Sequence, residues 1–486
     1  MSEQSLTDKT VKGVGWNTID RIANYGIGFI VGIILARLLS PEEYGLIGII
    51  TIFITLFNII LDSGLSIALI RKNGVTNTDY CTVFYTNLLL SFFLTALLFF
   101  LAPQISAFFK RPELIPYIQV MSFILIINAL SITQQARLTK RIDFKTQTKI
   151  SLISHLSSGV IGISMAYLGF GVWALVAQQM SSRLLTTIFL WIYNKWVPRL
   201  IFSWNSFKGL FGFSWKLLVA QILSAVSTQL YQAVIGKFYS PATLGQYTRA
   251  RQYGNLASES IGNVILKVSL PVMSTIQNDD ERLLRAFRSI IKSVMLITSI
   301  LLIGMAACSK ELIFVLIGEQ WLPCVPMMRI LCFSLMLYPL HMVNINMLMV
   351  QGRSDIQLIL QVVKIFLSIG PILLGIFVGI YWMIWGSVVT GWICLFLNAY
   401  YSGKKFGYAW WMQLRDIAPS LIIALIMSIP VFSISYIPLS PYILLPIQMI
   451  VGIIVTIGLC ELLKKDEYIQ LKGIVLEYMG KIIGKK

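Results

Sequence analysis

The sequence predicts an all-α membrane protein of about fourteen transmembrane helices, arranged as two parallel six-helix lobes around a central cleft, plus a terminal helix pair. Three observations lead there. First, 57% of the 486 residues are hydrophobic and only 12% are charged, with a mean hydropathy of +0.77, which is foreign to a water-soluble globule. Second, the apolar residues come in runs of about 20, the helical length that crosses roughly 30 Å of hydrocarbon, and such runs recur from end to end. They are Leu, Ile, Val and Phe runs, not the ten-residue alternating stretches of a barrel. Third, a motif near the first span returns 200 residues later, since Ala36 to Gly45 matches Gly236 to Gly245 in its cation, its Ser-Pro pair and its final glycine.

The predicted spans cover 13–37, 44–70, 81–102, 115–136, 147–168, 171–194, 211–236, 244–274, 288–308, 324–349, 356–379, 381–402, 415–437 and 442–463. Residues 1–12 are polar and no small-residue cleavage site follows the first apolar run, so the first helix is expected to stay in the protein. The repeat extends weakly through Trp16 and Trp215, and through Pro116 and Phe123 paired with Pro326 and Phe333 at an offset of 210. Two six-helix copies enter the membrane from the same side, which makes the lobes parallel. The expected division is a first lobe at 1–205, a second at 206–405, a helix pair at 406–463 and an amphipathic tail at 464–486. The segment from Arg199 to Phe213, with Trp204, Phe207 and Phe211, is expected to lie on the membrane surface in the same way.

A net charge of +18 raises the question of a nucleic-acid partner, and the placement of the cations answers it in the negative. They gather in alternate connections, among them Arg71 and Lys72, Arg137 to Lys149, Lys195 to Lys216, Arg282 to Lys292, and Lys404 to Arg415, as well as in the tail. The intervening connections hold only Lys110, Arg111, Lys237 and Lys310. By the positive-inside rule both termini are cytoplasmic. The six cysteines, at 81, 308, 324, 332, 394 and 460, lack CxxC or zinc spacing and read as small packing residues.

Ionisable groups inside hydrocarbon are costly and by default face a cavity or a partner. Asn17, Asp20, Arg21, Asn24 and Gly28 share one face of the first helix, and Thr51, Thr55, Asn58 and Asp62 one face of the second. Gln221, Ser224, Thr228 and Gln232 stripe the seventh, and Arg249, Gln252, Glu259, Asn263 and Lys267 the eighth. These stripes point to a wet cleft built from helices 1, 2, 7 and 8. Other readings stand beside that one. Asp20 and Arg21 lie where they can snorkel to headgroups, and Glu259 and Lys267, two turns apart, fit structural pairs with other helices. Arg37 and Lys237 mark an outer interface, and Arg183 and Arg329 are secondary candidates. His155 and His341 stand alone in apolar helices without co-ligands, so they read as packing residues, and no metal site is expected. Asp279, Asp280 and Glu281 read as a solvated face or as the acidic start of the next helix. Without a GxxxxGK[ST] loop, no ATP site is expected, which leaves an ion gradient, the membrane potential or the substrate gradient as the energy source.

The stretch from Ala36 to Leu46, then Leu61-Asp62-Ser63-Gly64 with Ala68 to Lys72, then Leu168 to Leu175, resembles the polysaccharide transporters of the multidrug/oligosaccharidyl-lipid/polysaccharide exporter superfamily. The branch of colanic-acid and teichuronic-acid exporters is the nearest in pattern, and the resemblance covers essentially the whole chain. It implies a flippase in the bacterial inner membrane that carries undecaprenyl-diphosphate-linked oligosaccharide from the cytoplasmic to the periplasmic leaflet, not an enzyme. By motif position it also implies that Arg21 and Arg249 hold the diphosphate, with Arg251 and Lys267 in support, although Asp20 beside Arg21 departs from a purely cationic site. The last two helices become a groove for the prenyl chain, and a polysaccharide polymerase and glycosyltransferases become partners. Guanidinium suits phosphate oxygens in geometry as well as charge. Asp20, Asp62 and Glu259 are the candidates for coupling to H+ or Na+, with no other cofactor expected.

Three rival readings make different demands. A drug antiporter of the same superfamily calls for twelve helices. A membrane-embedded polymerase or ligase needs a catalytic constellation outside the membrane, and the longest outer connection, Ser309 to Pro323, offers only Lys310, Glu311 and Glu319 as charged groups. A purely structural partner in a glycan assembly would have an inactive cleft.

Overall fold

The computed structural model describes residues 23–465, 467–469 and 472–473, and among them the chain is helical with no strand. Among the described residues, eleven helical segments are long and apolar enough to cross a membrane. The three remaining predicted spans are helical too, and each has a reason for falling short of that apolarity. Of the predicted span 13–37 only the part within Ala23–Leu38 (α1) is among the described residues, Val172–Asn194 carries Arg183 at its centre, and Pro241–Thr275 carries Arg249, Arg251 and Glu259.

Two compact units divide the chain, one running to Gly245 and one from Gln246. The first holds α1, α2 (Pro41–Asp62), α3 (Leu65–Arg71), α4 (Asn77–Phe109), α5 (Leu114–Ser122), α6 (Ile124–Lys140), α7 (Phe144–Tyr167), α8 (Val172–Asn194) and α9 (Trp204–Phe238). Its border lies past residue 205, where the repeat places a lobe boundary, because α9 packs along α2, α3 and α4. The helix α10 (Pro241–Thr275) starts in the first unit and continues into the second. There it is followed by α11 (Asp280–Ala307), α12 (Ser309–Ile317), α13 (Val325–Leu335), α14 (Tyr338–Val350), α15 (Ser354–Phe377), α16 (Ile380–Gly403), α17 (Trp410–Ile434) and α18 (Pro441–Leu462).

Local chemistry explains the helix ends. Ser40 closes a capping box on α2, its hydroxyl accepting from the Glu43 amide while the Glu43 carboxylate accepts from the Ser40 N–H at 2.6 Å, and Pro41 takes the first helical position. In the repeated motif Ser240 accepts from the Thr243 amide at 3.1 Å at the head of α10. The two glycines of the motif answer each other: a side chain on Gly45 would overlap the Pro241 carbonyl, and one on Gly245 would overlap that of Pro41. Backbone therefore meets backbone where α2 and α10 begin.

Three of the predicted spans, each still one candidate membrane span, contain a break in the helix. The span predicted at 44–70 is cut in two, because Ser63 and Gly64 both adopt left-handed conformations, with φ of 48° and 70°. The break brings the Gly64 carbonyl to the Ser214 hydroxyl of α9, which donates to it at 3.1 Å. The predicted spans 115–136 and 324–349 are likewise each divided, into α5 with α6 and α13 with α14. In the opposite sense, the expected surface segment from Arg199 to Phe213 is no separate helix. From Trp204 it belongs to the 35 residues of α9, along which Trp204, Phe207 and Phe211 stack ring on ring at 5.1 and 5.3 Å. Asp279 caps α11 by accepting from the Arg282 amide at 3.0 Å, so the acidic run is the start of a helix. Most of the expected amphipathic tail lies outside the described residues.

Candidate functional site

Six helices of the first unit contribute polar residues to a cavity of about 690 Å³. From α2 come Thr55, Asn58 and Asp62, and from α3 comes Ser66. The α6 stripe Asn128, Ser131, Gln135 and Thr139 keeps the spacing of one helix face, as does the α7 stripe Gln147, Ser151 and His155. Ser182, Arg183 and Thr186 enter from α8, and Gln221 from α9. Thr55, Asn58 and Asp62 occupy the half of α2, and Gln147, Ser151 and His155 the half of α7, that adjoin the basic connections around Arg71 and Arg137 to Lys149.

Hydrogen bonds between helices fix the wall. Asn128 Nδ2 of α6 donates to Asn58 Oδ1 of α2 at 2.7 Å, and Gln147 Nε2 of α7 donates to Thr139 Oγ1 of α6 at 3.0 Å. His155 Nδ1 and Ser182 Oγ lie 3.4 Å apart, joining α7 to α8. Asn24, which the first predicted stripe includes, donates from α1 to Ser151 Oγ at 3.0 Å.

Two charged groups stand in this wall. Asp62 accepts from the Ser66 hydroxyl at 2.8 Å and from its amide at 3.3 Å, and no cation of the described residues pairs with it. Arg183 lies eleven residues from either end of α8, about 16 Å of helix rise in each direction. No hydrogen bond or ion pair among the described residues reaches its guanidinium, whose surface is open to the cavity. A permanent cation at that depth is tolerable only where water or an anion reaches it. Apart from His155 the remaining polar lining is amide and hydroxyl, the donor and acceptor set that serves sugar hydroxyls and phosphate oxygens alike, and apolar residues such as Ile59, Ile132 and Leu190 complete the wall.

The predicted site residues are distributed as follows. Asp62 is in the cavity. Asp20 and Arg21 lie outside the described residues, and so does the side chain of Lys267. Arg249, Arg251 and Glu259 sit on the part of α10 that belongs to the second unit. Arg249 is buried, donates to Gln252 Oε1 at 2.6 Å and lies over the Trp321 ring at 6.0 Å. Arg251 and Glu259 are both half-buried and within electrostatic reach of each other, and Glu259 also acts on Tyr338. In the sequence Arg183 is only a secondary candidate and His155 a packing residue, and the α6 stripe is not among the expected polar faces. The signals were there, in the i, i+3, i+7, i+11 spacing of Asn128 to Thr139 and in the central position of Arg183.

The other lone histidine has a different setting. His341 Nδ1 of α14 lies 2.9 Å from Asn398 Nδ2 of α16, beside a buried network in which Asn344 accepts from Ser402 at 2.5 Å and from Gln413 at 3.2 Å.

Comparison with known proteins places this architecture. A family model described as polysaccharide biosynthesis protein matches residues 34–326. The chain is 25% identical over 420 residues to the succinoglycan biosynthesis transport protein ExoT of Rhizobium meliloti, covering 86% of this chain and 83% of that one. It is 26% identical over 358 residues to the teichuronic acid biosynthesis protein TuaB of Bacillus subtilis, covering 72% and 73%. Among solved structures, the lipid II flippase MurJ in an inward closed conformation superposes with a TM-score of 0.76 at 15% identity, over 92% of this chain and 99% of that one, a likeness of fold. The family match runs from α1 into α13, more than half of the sequence, and the chain belongs to the polysaccharide biosynthesis protein family.

Proposed function

We propose that this protein is a flippase that exports undecaprenyl-diphosphate-linked oligosaccharide from the cytoplasmic to the periplasmic leaflet by alternating access, in the service of surface polysaccharide synthesis. The observation that carries the reading is Arg183, a cation at mid-membrane depth that no hydrogen bond or ion pair among the described residues reaches, in a cavity whose other polar lining groups, Asp62 and His155 apart, are amides and hydroxyls. A diphosphate supplies the missing counter-charge, and the sugars attached to it meet the polar wall. The printed names of the relatives, a succinoglycan transport protein and a teichuronic acid biosynthesis protein, favour a polysaccharide precursor as cargo. The membrane is the bacterial inner membrane, with both termini cytoplasmic by the distribution of Lys and Arg. On that orientation the cavity lies in the cytoplasmic half of the first unit, where such a lipid is made.

Arg21, Arg249, Arg251 and Lys267 are further cations for the diphosphate, and Asp20, Asp62 and Glu259 are candidates to exchange a proton or Na+ against it. Asp62 is the most direct of these, since its carboxylate shares a cavity with Arg183. A polysaccharide polymerase and the glycosyltransferases that build the lipid are the expected partners. The deciding experiment depletes the protein and asks whether an impermeant glycan-modifying enzyme outside the membrane still reaches the lipid-linked oligosaccharide. The lipid should accumulate intact and inaccessible, and a correctly inserted Arg183→Ala protein should fail to restore access. Accumulation of lipid that is accessible but unpolymerised would place the protein after translocation and overturn the reading.

A further inference from the structure

The second unit carries an intramembrane cation of its own. Lys364 lies in α15, ten residues from its first residue and thirteen from its last, which puts it roughly 15 Å and 20 Å from the two helix ends. It belongs to the inward stripe of that helix, in register with the buried residues Ile356, Leu360, Ser368, Pro371 and Gly375. Leu358, Phe366 and Phe377 occupy the opposite, exposed face, at 60%, 67% and 80%. Lys364 therefore points into the unit and not toward lipid, too deep for its stem to reach an interface.

Nothing there balances a charge. Among the described residues no hydrogen bond or ion pair reaches the ammonium. The helices packed most closely against α15 are α16 and α14, and the titratable groups on them within electrostatic reach of Lys364 are Cys394 and His341, neither of them a carboxylate. His341 is itself engaged with Asn398. An ammonium without counter-charge in a low-dielectric interior gives up its proton readily, and buried lysines can titrate near neutral pH.

The repeat provides an independent observation. The first unit's α7 and the second unit's α15 are both 24 residues long and begin 210 residues apart, the offset that also relates Pro116 to Pro326. Lys364 follows His155 by 209 residues, so the corresponding helices each hold one protonatable nitrogen near the middle of the membrane. His155 lines the polar cavity of its unit.

We propose that Lys364 is a proton-binding site of the second unit, its amine taking a proton on the nitrogen lone pair in one stage of the transport cycle and releasing it to water in another. The coupling ion is then a proton carried on nitrogen, in addition to whatever Asp62 carries. This rests on the transporter reading above.

The first test does not depend on transport. In protein labelled with 13C at the lysine ε-carbons, the resonance that disappears in Lys364→Met is followed against pH in the full-length chain. A midpoint displaced from the usual lysine value of about 10.4 into the range where the cycle operates is expected, and a midpoint at the usual value overturns the proposal. The second test uses proteoliposomes loaded with undecaprenyl-diphosphate-linked oligosaccharide. The wild type should move lipid on the order of tenfold faster under a pH gradient, and both Lys364→Met and Lys364→Arg should keep gradient-free exchange while losing that acceleration. If Lys364→Arg keeps it, a fixed charge suffices; if Lys364→Met keeps it, the role is packing. Either result overturns the proton site. A wild type that moves no lipid under any gradient overturns the transporter reading, and the resonance midpoint then judges the proton site alone.

Discussion

Asn128 donates to Asn58 at 2.7 Å, a single side-chain bond that joins α6 to α2 across the wall of the polar cavity. Such a bond between two neutral amides is worth about 1 kcal/mol, and leaving one partner unsatisfied costs somewhat more. Asn128→Ala should lower the thermal midpoint of the detergent-solubilised protein by a few degrees. Asn58→Ala should do the same, and the double variant should lose less than the sum of the two, as expected when both changes break one bond. Unfolding followed by intrinsic fluorescence checks this.

Arg183 is the cation of the cavity wall. Loss of a charge-assisted contact to phosphate costs about 1.5–3 kcal/mol, which corresponds to roughly ten- to a hundredfold in binding or rate. Arg183→Ala and Arg183→Gln should insert normally and lose transport by that factor, and Arg183→Lys should keep part of it, since an ammonium retains the charge but not the planar fork. Initial rates of lipid movement in proteoliposomes decide. Unchanged rates in all three variants would remove Arg183 from the site.

Asp62 offers a different outcome. Its carboxylate accepts two hydrogen bonds from Ser66, and Asp62→Asn keeps the shape while fixing the neutral form. If Asp62 carries the coupling ion, the variant should exchange lipid in the absence of gradients at a near-normal rate and respond to neither an imposed proton gradient nor an imposed Na+ gradient. A variant with the full wild-type response would assign coupling elsewhere.

Much of this architecture can be read from the chain. The helical segments, the Ser-Pro caps of α2 and α10 and the polar face ending in Asp62 follow from apolar run length, turn chemistry and helical period. What escaped the reading has physical causes. Ser63 and Gly64 break a run that stays apolar on both sides, because a left-handed turn is chosen by the contact with Ser214 and not by hydropathy. The α6 and α7 stripes consist of Asn, Gln, Ser and Thr, residues that hydrogen-bond their own helix often enough to seem unremarkable in a span; Ser151 and Thr148 do so here. Lys364 looks like a stray cation until the buried stripe of α15 shows which way it faces.

Gly45 and Gly245 invite the smallest perturbation. A methyl group at either position would overlap a proline carbonyl, backbone that has no rotamer to retreat into. Gly45→Ala and Gly245→Ala should each destabilise the protein by several kcal/mol, of the order seen when a tight core is overfilled, and reduce the yield of folded protein in the membrane. Because the Cβ of Gly245 would also approach the Gly45 amide at 3.1 Å, both changes strain one crossing, and the double variant should cost less than the sum. Thermal unfolding and protease sensitivity measure both effects.

The same crossing bears on how the duplicated gene has aged. Most of the two copies have drifted until little internal likeness survives, yet ten residues around each Ser-Pro pair can still be aligned. A segment that touches its own duplicate is not free to diverge alone, because any bulk gained in one copy has to be accommodated by the other.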